Sequence, residues 1–435
     1  MDDFRPHLSV NDENHLTIGG VDTVELAEEF GTPLYVIDEA RIRGRYREFR
    51  DAFKKHYSDV EVKYAYKANT NLAVCHILRQ EGCGADVLSQ GDIEAALKVG
   101  VDPGEMIFTG NNKTDEELRL AVDKGVIINI DAMHELERLI RLCSSMEKNA
   151  RVSFRINPAV SPNTHPRLAT GLKESKFGIH EAEALEAYRD ATKSGCLQVV
   201  GIHMHIGSQI TETSPYVEAV GKLLDLVGLL KRELDLDLEF VDIGGGLGIR
   251  YERDKPYITP DQLADAVISV LRDKIEEHDL REPTLFLEPG RYIVGDAALM
   301  LARVSTIKKT PYRMFVGVDA GFNTLPRPVV YDAYHEVVLA NKAGSEGVEK
   351  VDVAGNVCET GDILARDRIL PHVEENDLVA FLDAGAYSFI MASQYNLRPR
   401  PAEILVNGEE YEVIRERETM EDLYLKQSVP ERLLR

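Results

Sequence analysis

Eight short runs rich in β-branched residues alternate with helix-patterned segments, and this rhythm constrains the fold more than any other feature. The intervening segments, such as NLAVCHILRQEG and DEELRLAVDKG, repeat apolar residues at helical spacing, and several end in glycine, as helices often do. Eight strand–helix units predict a (β/α)8 barrel, an α/β TIM barrel. An open doubly wound sheet is the alternative, although it more often has five or six strands. The runs are 60–67, 84–89, 106–110, 125–131, 151–158, 199–207, 238–246 and 284–291.

The pattern changes after about residue 300. Strand-like runs such as RMFVGVDAG and DLVAFLDAGAY follow one another there without long helices between them, which predicts an all-β part. A chain of 435 residues also exceeds one ordinary core. We therefore predict a barrel domain at 36–300, and a β domain, sandwich-like or barrel-like, that joins 1–35 to 301–435.

Charge and cysteine usage narrow the functional classes. Acidic residues number 74 against 51 basic ones, and the net charge of −23 repels nucleic acid and anionic membranes, so neither is an expected partner. Five cysteines at scattered spacings, without a CxxC pair, argue against a disulfide framework or zinc site and for a reducing compartment. The N-terminus lacks a basic segment followed by an apolar one, and no run reaches membrane-spanning length. We expect a cytoplasmic protein.

The unusual residues of the sequence fall at the predicted strand ends. Chemistry in a (β/α)8 barrel gathers at the C-terminal ends of the strands, where the loops converge over a filled core. Residues that chance would scatter are therefore expected to face one site. They are Lys67, Ser89, Asp131, Asn157, His205, Ser208, Gly244 to Gly246, and Glu288 to Arg291.

Lys67 ends the run VEVKYAYK, although burying an ammonium is costly unless it is paired or loses its proton. The glycines of DIGGGLG let the backbone approach an anion closely. Neither GxGxxG nor GK[ST] fits, and a triple glycine alone is more often a tight turn. After strand 7 of a barrel, next to Arg291, a phosphate site is the better interpretation.

Two further motifs each have a functional and a plain interpretation. HMHIGSQ places His203 and His205 two residues apart, on one face of a strand. No third metal ligand is apparent nearby, so we expect no metal. One inward histidine for stacking or hydrogen bonding is favoured, and His203 as a core histidine is the alternative. EPGR brings Glu288 and Arg291 together, either as part of a site or as a surface ion pair.

An inward lysine, phosphate-binding glycines and a carboxylate together point to pyridoxal phosphate. A lysine forms a Schiff base with this cofactor, glycine amides hold its phosphate, and an acid keeps its pyridine nitrogen protonated. A structural lysine that pairs with a barrel carboxylate is the alternative for Lys67.

Six motifs, YAYKAN, HIGSQ, GGGLG, EPGR, CETGD and GAY…MASQYN, occur in this order along nearly the whole chain. The sequence thereby resembles the fold-type III pyridoxal phosphate decarboxylases, and within them the family of diaminopimelate decarboxylases. The resemblance implies a homodimer with active sites shared between subunits. It also implies a lyase that converts meso-2,6-diaminopimelate to L-lysine and carbon dioxide, the last step of lysine biosynthesis.

The resemblance assigns roles to individual residues. Lys67 would carry the cofactor, His205 would stack on its ring, Glu288 would pair with the pyridine nitrogen, and Cys358 of the partner subunit would donate a proton. The residues implied to hold the cofactor are Ser208, Gly244, Gly245, Gly246, Pro289, Gly290, Arg291 and Tyr387. Those implied to bind substrate are Arg291, Arg327, Tyr331, Glu359 and Tyr387.

The choice of substrate depends on its non-reacting end, which carries an amine and a carboxylate in diaminopimelate. Arg327 can hold the carboxylate and Glu359 the ammonium, whereas ornithine decarboxylases have Asp after the cysteine and need no distal arginine. A decarboxylase for ornithine, arginine or carboxynorspermidine remains the alternative. A racemase is disfavoured because Glu288 stands where alanine racemase has an arginine, and a silent binding protein is disfavoured by Lys67 with Cys358.

Three positions depart from the usual family pattern. Ile390 replaces a serine, Gln394 replaces an asparagine, and Asp92 is one methylene shorter than the usual glutamate. None is a residue to which the resemblance assigns a catalytic role. We expect them to affect fine tuning rather than the reaction.

Overall fold

A computed structural model of the chain describes residues 5–172 and 174–434. The chain divides into two compact units, which we call the barrel unit and the sheet unit. The barrel unit comprises Ile42–Arg250 and Asp254–Gly295, and the sheet unit comprises Met1–Arg41, Tyr251–Arg253 and Asp296–Arg435. Among the described residues, no helix combines the length and the apolar composition that a membrane crossing requires.

The barrel unit contains a closed barrel of eight parallel strands, as the sequence predicts. Each strand pairs with the next in chain order, and the last pairs with the first. A short strand, Ile179–His180, extends the ladder beside the fifth strand. The barrel strands are β1 (Val60–Ala65), β2 (Gly84–Val87), β3 (Met106–Phe108), β4 (Ile127–Ile130), β5 (Ala150–Asn157), β6 (Leu197–His203), β7 (Phe240–Asp242) and β8 (Thr284–Leu287).

A helix follows each barrel strand, and a further one, Glu39–His56, precedes β1. Local signals explain the bounds of several. Thr114 and Thr259 form capping boxes at two N-termini, and Gly125 ends a helix in the left-handed conformation that glycine adopts without strain. The helices after β1 to β8 are Leu72–Gln80, Gln90–Lys98, Asp115–Lys124, Met133–Met146, Glu181–Lys193, Ser214–Leu234, Pro260–Glu277 and Arg291–Val294.

Large side chains fill the barrel and leave its C-terminal end for polar groups. Phe240 and Phe286, on β7 and β8, stack with ring centroids 4.1 Å apart. Gly201 on β6 is opposite Phe240, and a Cβ there would collide with the Phe240 ring. The interior is therefore a packed core, and the polar residues gather above it.

The sheet unit is built on the long strand Ala298–Lys309, which pairs antiparallel with Leu34–Asp38, Leu378–Phe381 and Met314–Val318. The rest of this nine-stranded sheet consists of Val337–Leu339, Glu349–Ala354, Ile363–Leu370, Ala402–Asn407 and Glu410–Arg415. A three-stranded sheet (Leu8–Val10, Leu16–Ile18, Val21–Asp22) and the helices Thr23–Phe30, Arg327–Tyr331 and Met420–Tyr424 complete its main elements.

The boundaries of the two units differ from 36 and 300 by a few residues. Leu34–Asp38 lies within the sheet unit because it pairs with Ala298–Lys309 and Ala402–Asn407. The barrel unit accordingly ends at Gly295, before Ala298–Lys309 begins.

The ion pair between Glu418 and Arg400 allows a test of how much one carboxylate of the sheet unit contributes to stability. Burial opposes its ionisation, but hydrogen bonds from Arg400 and Gln394 outweigh burial and lower the pKa of Glu418 to about 2. A lowered folded-state pKa stabilises the fold above the unfolded value near 4.5, and this stabilisation is lost as the pH falls toward 2. We expect Glu418→Gln to lower the free energy of unfolding by about 1–2 kcal/mol at pH 7.

Urea unfolding of both proteins between pH 7 and pH 3 measures this effect. The difference between wild type and Glu418→Gln should shrink as the pH falls. Glu416→Gln, at an exposed position two residues away, serves as the control and should unfold like wild type. A difference that persists unchanged at pH 3 would show that lost packing, rather than lost charge, destabilises the variant.

Candidate active site

Lys67 lies just beyond the end of β1, in the single 3-10 turn Tyr66–Ala68. Its side chain is 30% exposed, and its Nζ is 2.9 Å from Oδ2 of Asp86 on the neighbouring strand β2. Asp86 is fully buried and also accepts a hydrogen bond from the Thr109 hydroxyl. The amine is thus held above the barrel core by a carboxylate, rather than free in solvent.

Burial raises the pKa of Asp86, and the nearby Glu288 raises it further, although Lys67 acts in the opposite direction. A carboxylate with a raised pKa is a stronger base than an ordinary aspartate. The buried Asp86 carboxylate and the Lys67 amine therefore hold each other in place by a hydrogen bond.

Glu288, directly after β8, is 3% exposed and belongs to a buried polar cluster. Its Oε2 is 3.2 Å from Nε2 of His203, at the end of β6. Asp242, at the end of β7, accepts a hydrogen bond from the Gly244 N–H at 2.8 Å. The carboxyl groups of Glu288 and Asp242 and the imidazole of His203 therefore lie close together, although they come from the ends of three different strands.

Glu288 and Asp242, the two acids of this cluster, differ in their protonation state. Burial opposes ionisation of Glu288, but the adjacent His203, which shares a hydrogen bond with it, and the charge of Lys67 outweigh burial and lower the pKa of Glu288 to about 2. Burial and the Glu288 charge raise the pKa of Asp242 well above its ordinary value. Two buried carboxyl groups this close cannot readily both be ionised. We assign the negative charge to Glu288 and the proton to Asp242.

This cluster also changes the interpretation of HMHIGSQ. His203, Asp242 and Glu288 have ligand atoms within 4.8 Å of one another, a grouping that the sequence analysis missed because the residues lie on three strands. Glu288 and His203 already share a hydrogen bond, so we interpret the group as a hydrogen-bonding network. His203 is 1% exposed, and it is a core histidine whose partner lies in the site.

His205 lies beyond β6, so the two histidines do not share one strand face as predicted. Burial lowers the pKa of His205 well below its ordinary value, and the charges of Lys67 and Arg155 add to the effect. The Gly245 N–H donates to Nδ1 at 3.3 Å. The ring is therefore neutral, with its proton on Nε2.

The glycines at 244–246, after β7, form a loop that packs closely against neighbouring backbone. Gly244 and Gly246 have φ of +71° and +103°, which favour glycine, and a Cβ on Gly244 would lie 2.5 Å from the Met204 carbonyl oxygen. A Cβ on Gly245 would collide with the Glu288 carbonyl. Only glycine fits at these positions without rearrangement.

Arg291 follows the end of β8 and Ser208 follows the end of β6, at the same end of the barrel as the glycine loop. Arg291 is 4% exposed, and its Nη2 donates to the Ser208 hydroxyl at 3.0 Å. The Pro289 carbonyl accepts from the Ala65 N–H at 3.1 Å, and Gly290 lets this segment approach the Lys67 turn closely. A guanidinium, a hydroxyl and glycine backbone make a suitable setting for a phosphate.

Arg155 on β5 is a site residue that sequence reasoning missed. It is 7% exposed, lies over the Phe177 ring at 4.5 Å, and is influenced by the charges of Asp131, Glu288 and Asp86. Burial lowers its pKa, although these carboxylates counteract the effect. Its position within the apolar run RVSFRINP was the available signal, because a guanidinium is rarely buried without acidic partners.

Three other predicted strand-end residues brace the loops. Ser89 caps the helix Gln90–Lys98, Asp131 accepts from the Gly178 N–H at 3.0 Å, and Asn157 accepts from the Ala159 N–H at 3.0 Å. These hydrogen bonds indicate that the three residues stabilise the loops at the C-terminal end of the barrel.

The sheet unit carries the remaining candidates. Arg327 is 4% exposed and Tyr331 half-buried, at opposite ends of the helix Arg327–Tyr331. Cys358 and Glu359 are exposed, and Glu359 accepts from the Tyr395 hydroxyl at 3.2 Å. Tyr387 is half-buried with a left-handed φ of +55°, a strained conformation for a tyrosine and one often found at functional sites.

The barrel-unit residues fit pyridoxal phosphate. Glu288 offers a buried carboxylate, the glycines at 244–246 with Arg291 and Ser208 offer a setting for an anion, and Lys67 supplies an amine. Each matches one part of the cofactor: the pyridine nitrogen, the phosphate and the aldehyde.

Comparisons with known proteins agree with this chemistry. Residues 39–295 match the pyridoxal binding domain of the pyridoxal-dependent decarboxylases. The diaminopimelate decarboxylase of Methanothermobacter thermautotrophicus is 51% identical over 430 residues, which cover 99% of each chain. That of Archaeoglobus fulgidus is 46% identical, over 96% of this chain and 98% of its own.

The chain belongs to the diaminopimelate decarboxylase family. A crystal structure of a family member from Methanocaldococcus jannaschii, in co-complex with L-lysine, superposes with a TM-score of 0.93. It is 40% identical, and the alignment covers 99% of each chain. The similarity therefore extends over both units.

The structure shows where the three residues that depart from the usual pattern of diaminopimelate decarboxylases lie. Asp92 accepts from the Leu88 N–H at 3.0 Å, and burial raises its pKa to about 6. Gln394 donates to Glu418, and Ile390 is 42% exposed. Both hydrogen bonds lie within a single unit.

Proposed function

We propose that this protein decarboxylates meso-2,6-diaminopimelate to L-lysine and carbon dioxide, with pyridoxal phosphate as its cofactor. The observation that carries the proposal is the grouping of Lys67, the buried Glu288 and the glycine loop at one end of the barrel. The high identity to diaminopimelate decarboxylases over the whole chain supports the choice of substrate.

When bound, the cofactor supplies an aldehyde that condenses with amines and a ring that accepts the electron pair left by carbon dioxide. Lys67 would hold the aldehyde end, with Asp86 positioning its amine. Glu288 would hold a proton at the ring nitrogen. Neutral His205 would pack against the ring without adding positive charge. The phosphate would be held by Ser208, Gly244, Gly245, Gly246, Pro289, Gly290, Arg291 and Tyr387.

Substrate binding and protonation would involve residues of the sheet unit. A meso compound has one D and one L centre, so L-lysine forms only if the carboxylate leaves the D centre. The L end must then be recognised intact, and Arg327 with Tyr331 and Arg291 would hold its carboxylate while Glu359 accepts its ammonium.

We infer a homodimer in the cytoplasm, with Cys358 of the partner subunit as the proton donor to the α carbon. Cys358 and Glu359 are exposed within their own unit, which suits residues that complete a site elsewhere. The family membership supports this arrangement.

The test is carbon dioxide release by the purified protein, loaded with pyridoxal phosphate, from separate amino acids. We expect release from meso-diaminopimelate with a kcat/KM at least about 100-fold above that for L-lysine, L-ornithine or L-arginine, because those lack the distal carboxylate or place it wrongly. Release from ornithine or arginine alone would assign a different decarboxylase. Solvent-deuterium exchange at the α carbon without carbon dioxide release would indicate a racemase.

A further inference from the structure

Arg327 and His335 form a buried pair in the sheet unit. The helix Arg327–Tyr331 ends at Asp332, which has a left-handed φ of +50°, and the chain turns back there. His335 consequently returns to Arg327, with its Nε2 2.8 Å from Arg327 Nη1. His335 is 0% exposed and Arg327 is 4% exposed, so this contact is shielded from water.

The second nitrogen of His335 fixes the direction of the contact. Nδ1 is 2.7 Å from the Leu382 carbonyl oxygen, which can only accept a hydrogen bond. The proton of a neutral ring therefore lies on Nδ1, and Nε2 is an acceptor. Because a guanidinium can only donate, Arg327 donates to His335, which donates to Leu382. Both bonds are satisfied by one tautomer.

Tyr251 fixes the plane of the same guanidinium. The Arg327 Cζ lies 4.7 Å from the Tyr251 ring centroid, and the Tyr251 and His335 rings meet edge to face at 74°. Arg5 holds this tyrosine by donating to its carbonyl at 3.2 Å, and the same guanidinium pairs with Asp383 at 2.6 Å. Asp383 directly follows Leu382 in the chain, so both supports of Arg327 are tied to one segment.

We propose that His335 is a positioning residue that orients Arg327 toward the carboxylate at the non-reacting end of the substrate. This inference rests on the proposed function and deepens it. A long, flexible arginine discriminates between a substrate and an analogue lacking the carboxylate only if its donors are already aimed. His335 fixes one donor and Tyr251 the plane, so the geometry for a two-pronged contact is set before substrate arrives.

Two inhibitors separate this role from a general structural one. L-Lysine keeps the carboxylate of the non-reacting end, whereas cadaverine (1,5-diaminopentane) has the same chain and amines without it. Inhibition constants of both are measured against meso-diaminopimelate for wild type and His335→Gln, with cofactor content followed by absorbance. His372→Gln, at a mostly exposed histidine of the same unit, is the matched control.

We expect His335→Gln to raise the inhibition constant of L-lysine at least about tenfold and to leave that of cadaverine within twofold of wild type. Cofactor content and the control variant should be unchanged. Tyr251→Leu, which leaves His335 intact, should shift the L-lysine constant in the same direction and provides the readout if His335→Gln does not fold.

Equal shifts for both inhibitors, or no shift for either, in the folded variants would overturn the inference while leaving the proposed function intact. Wild-type protein that releases no carbon dioxide from meso-diaminopimelate would overturn the proposed function, and the inference with it. Equal affinity of wild type for L-lysine and cadaverine would overturn the inference alone.

Discussion

Replacing Lys67 with alanine is expected to lower turnover at least about 1,000-fold, because the variant lacks the amine that carries the cofactor. Lys67→Arg should be nearly as inactive, since a guanidinium stays protonated and is a poor nucleophile. Both variants should fold, because the Lys67 side chain is 30% exposed rather than packed in the core.

The measurement is borohydride reduction of the loaded protein, followed by mass spectrometry of its peptides. The chain offers a matched control in Lys63, which lies on β1 just before the Lys67 turn, is 2% exposed, and pairs with Glu61 at 2.5 Å. Lys63→Met should still carry the reduced adduct on Lys67. An adduct on Lys63 or on the buried Lys113, or a Lys67→Ala variant that still turns over, would remove the basis of the proposed function.

The barrel could be predicted from sequence because its signal is local. Each strand is a short apolar run followed by a helix, and all eight occur within the predicted ranges or within two residues of them. The predicted strands extend too far at the site. The sixth strand, β6, ends at His203 rather than 207, and β7 ends at Asp242 rather than 246. There the chain leaves the ladder to form the glycine loop and present His205, so functional geometry overrides strand propensity.

The partners of the site residues could not be predicted, because they depend on strand register and on side-chain direction. Asp86 and Asp242 each occupy a charged position within an apolar run, which was a signal. Nothing in the sequence, however, states that Asp86 faces Lys67 or that Asp242 shares a cluster with Glu288. The same applies to His335, whose contact with Arg327 requires the reversal at Asp332.

Replacing Glu288 with glutamine is expected to lower kcat about 100- to 10,000-fold while the cofactor stays bound. Glutamine keeps the size of the side chain but cannot be ionised, so it cannot hold a proton at the ring nitrogen. The glycine loop and Lys67 are unchanged, so cofactor absorbance and the reduced adduct on Lys67 should persist. Stopped-flow or steady-state release of carbon dioxide measures the loss.

Asp242→Asn provides the decisive comparison, because the two acids are assigned opposite charge states. An asparagine resembles a protonated aspartic acid, and its carbonyl can still accept from the Gly244 N–H. If Asp242 is neutral in the folded protein, Asp242→Asn should cost less than about tenfold in kcat, far less than Glu288→Gln. Equal losses in the two variants would show that the negative charge is shared between the acids, and that Glu288 does not act alone at the ring nitrogen.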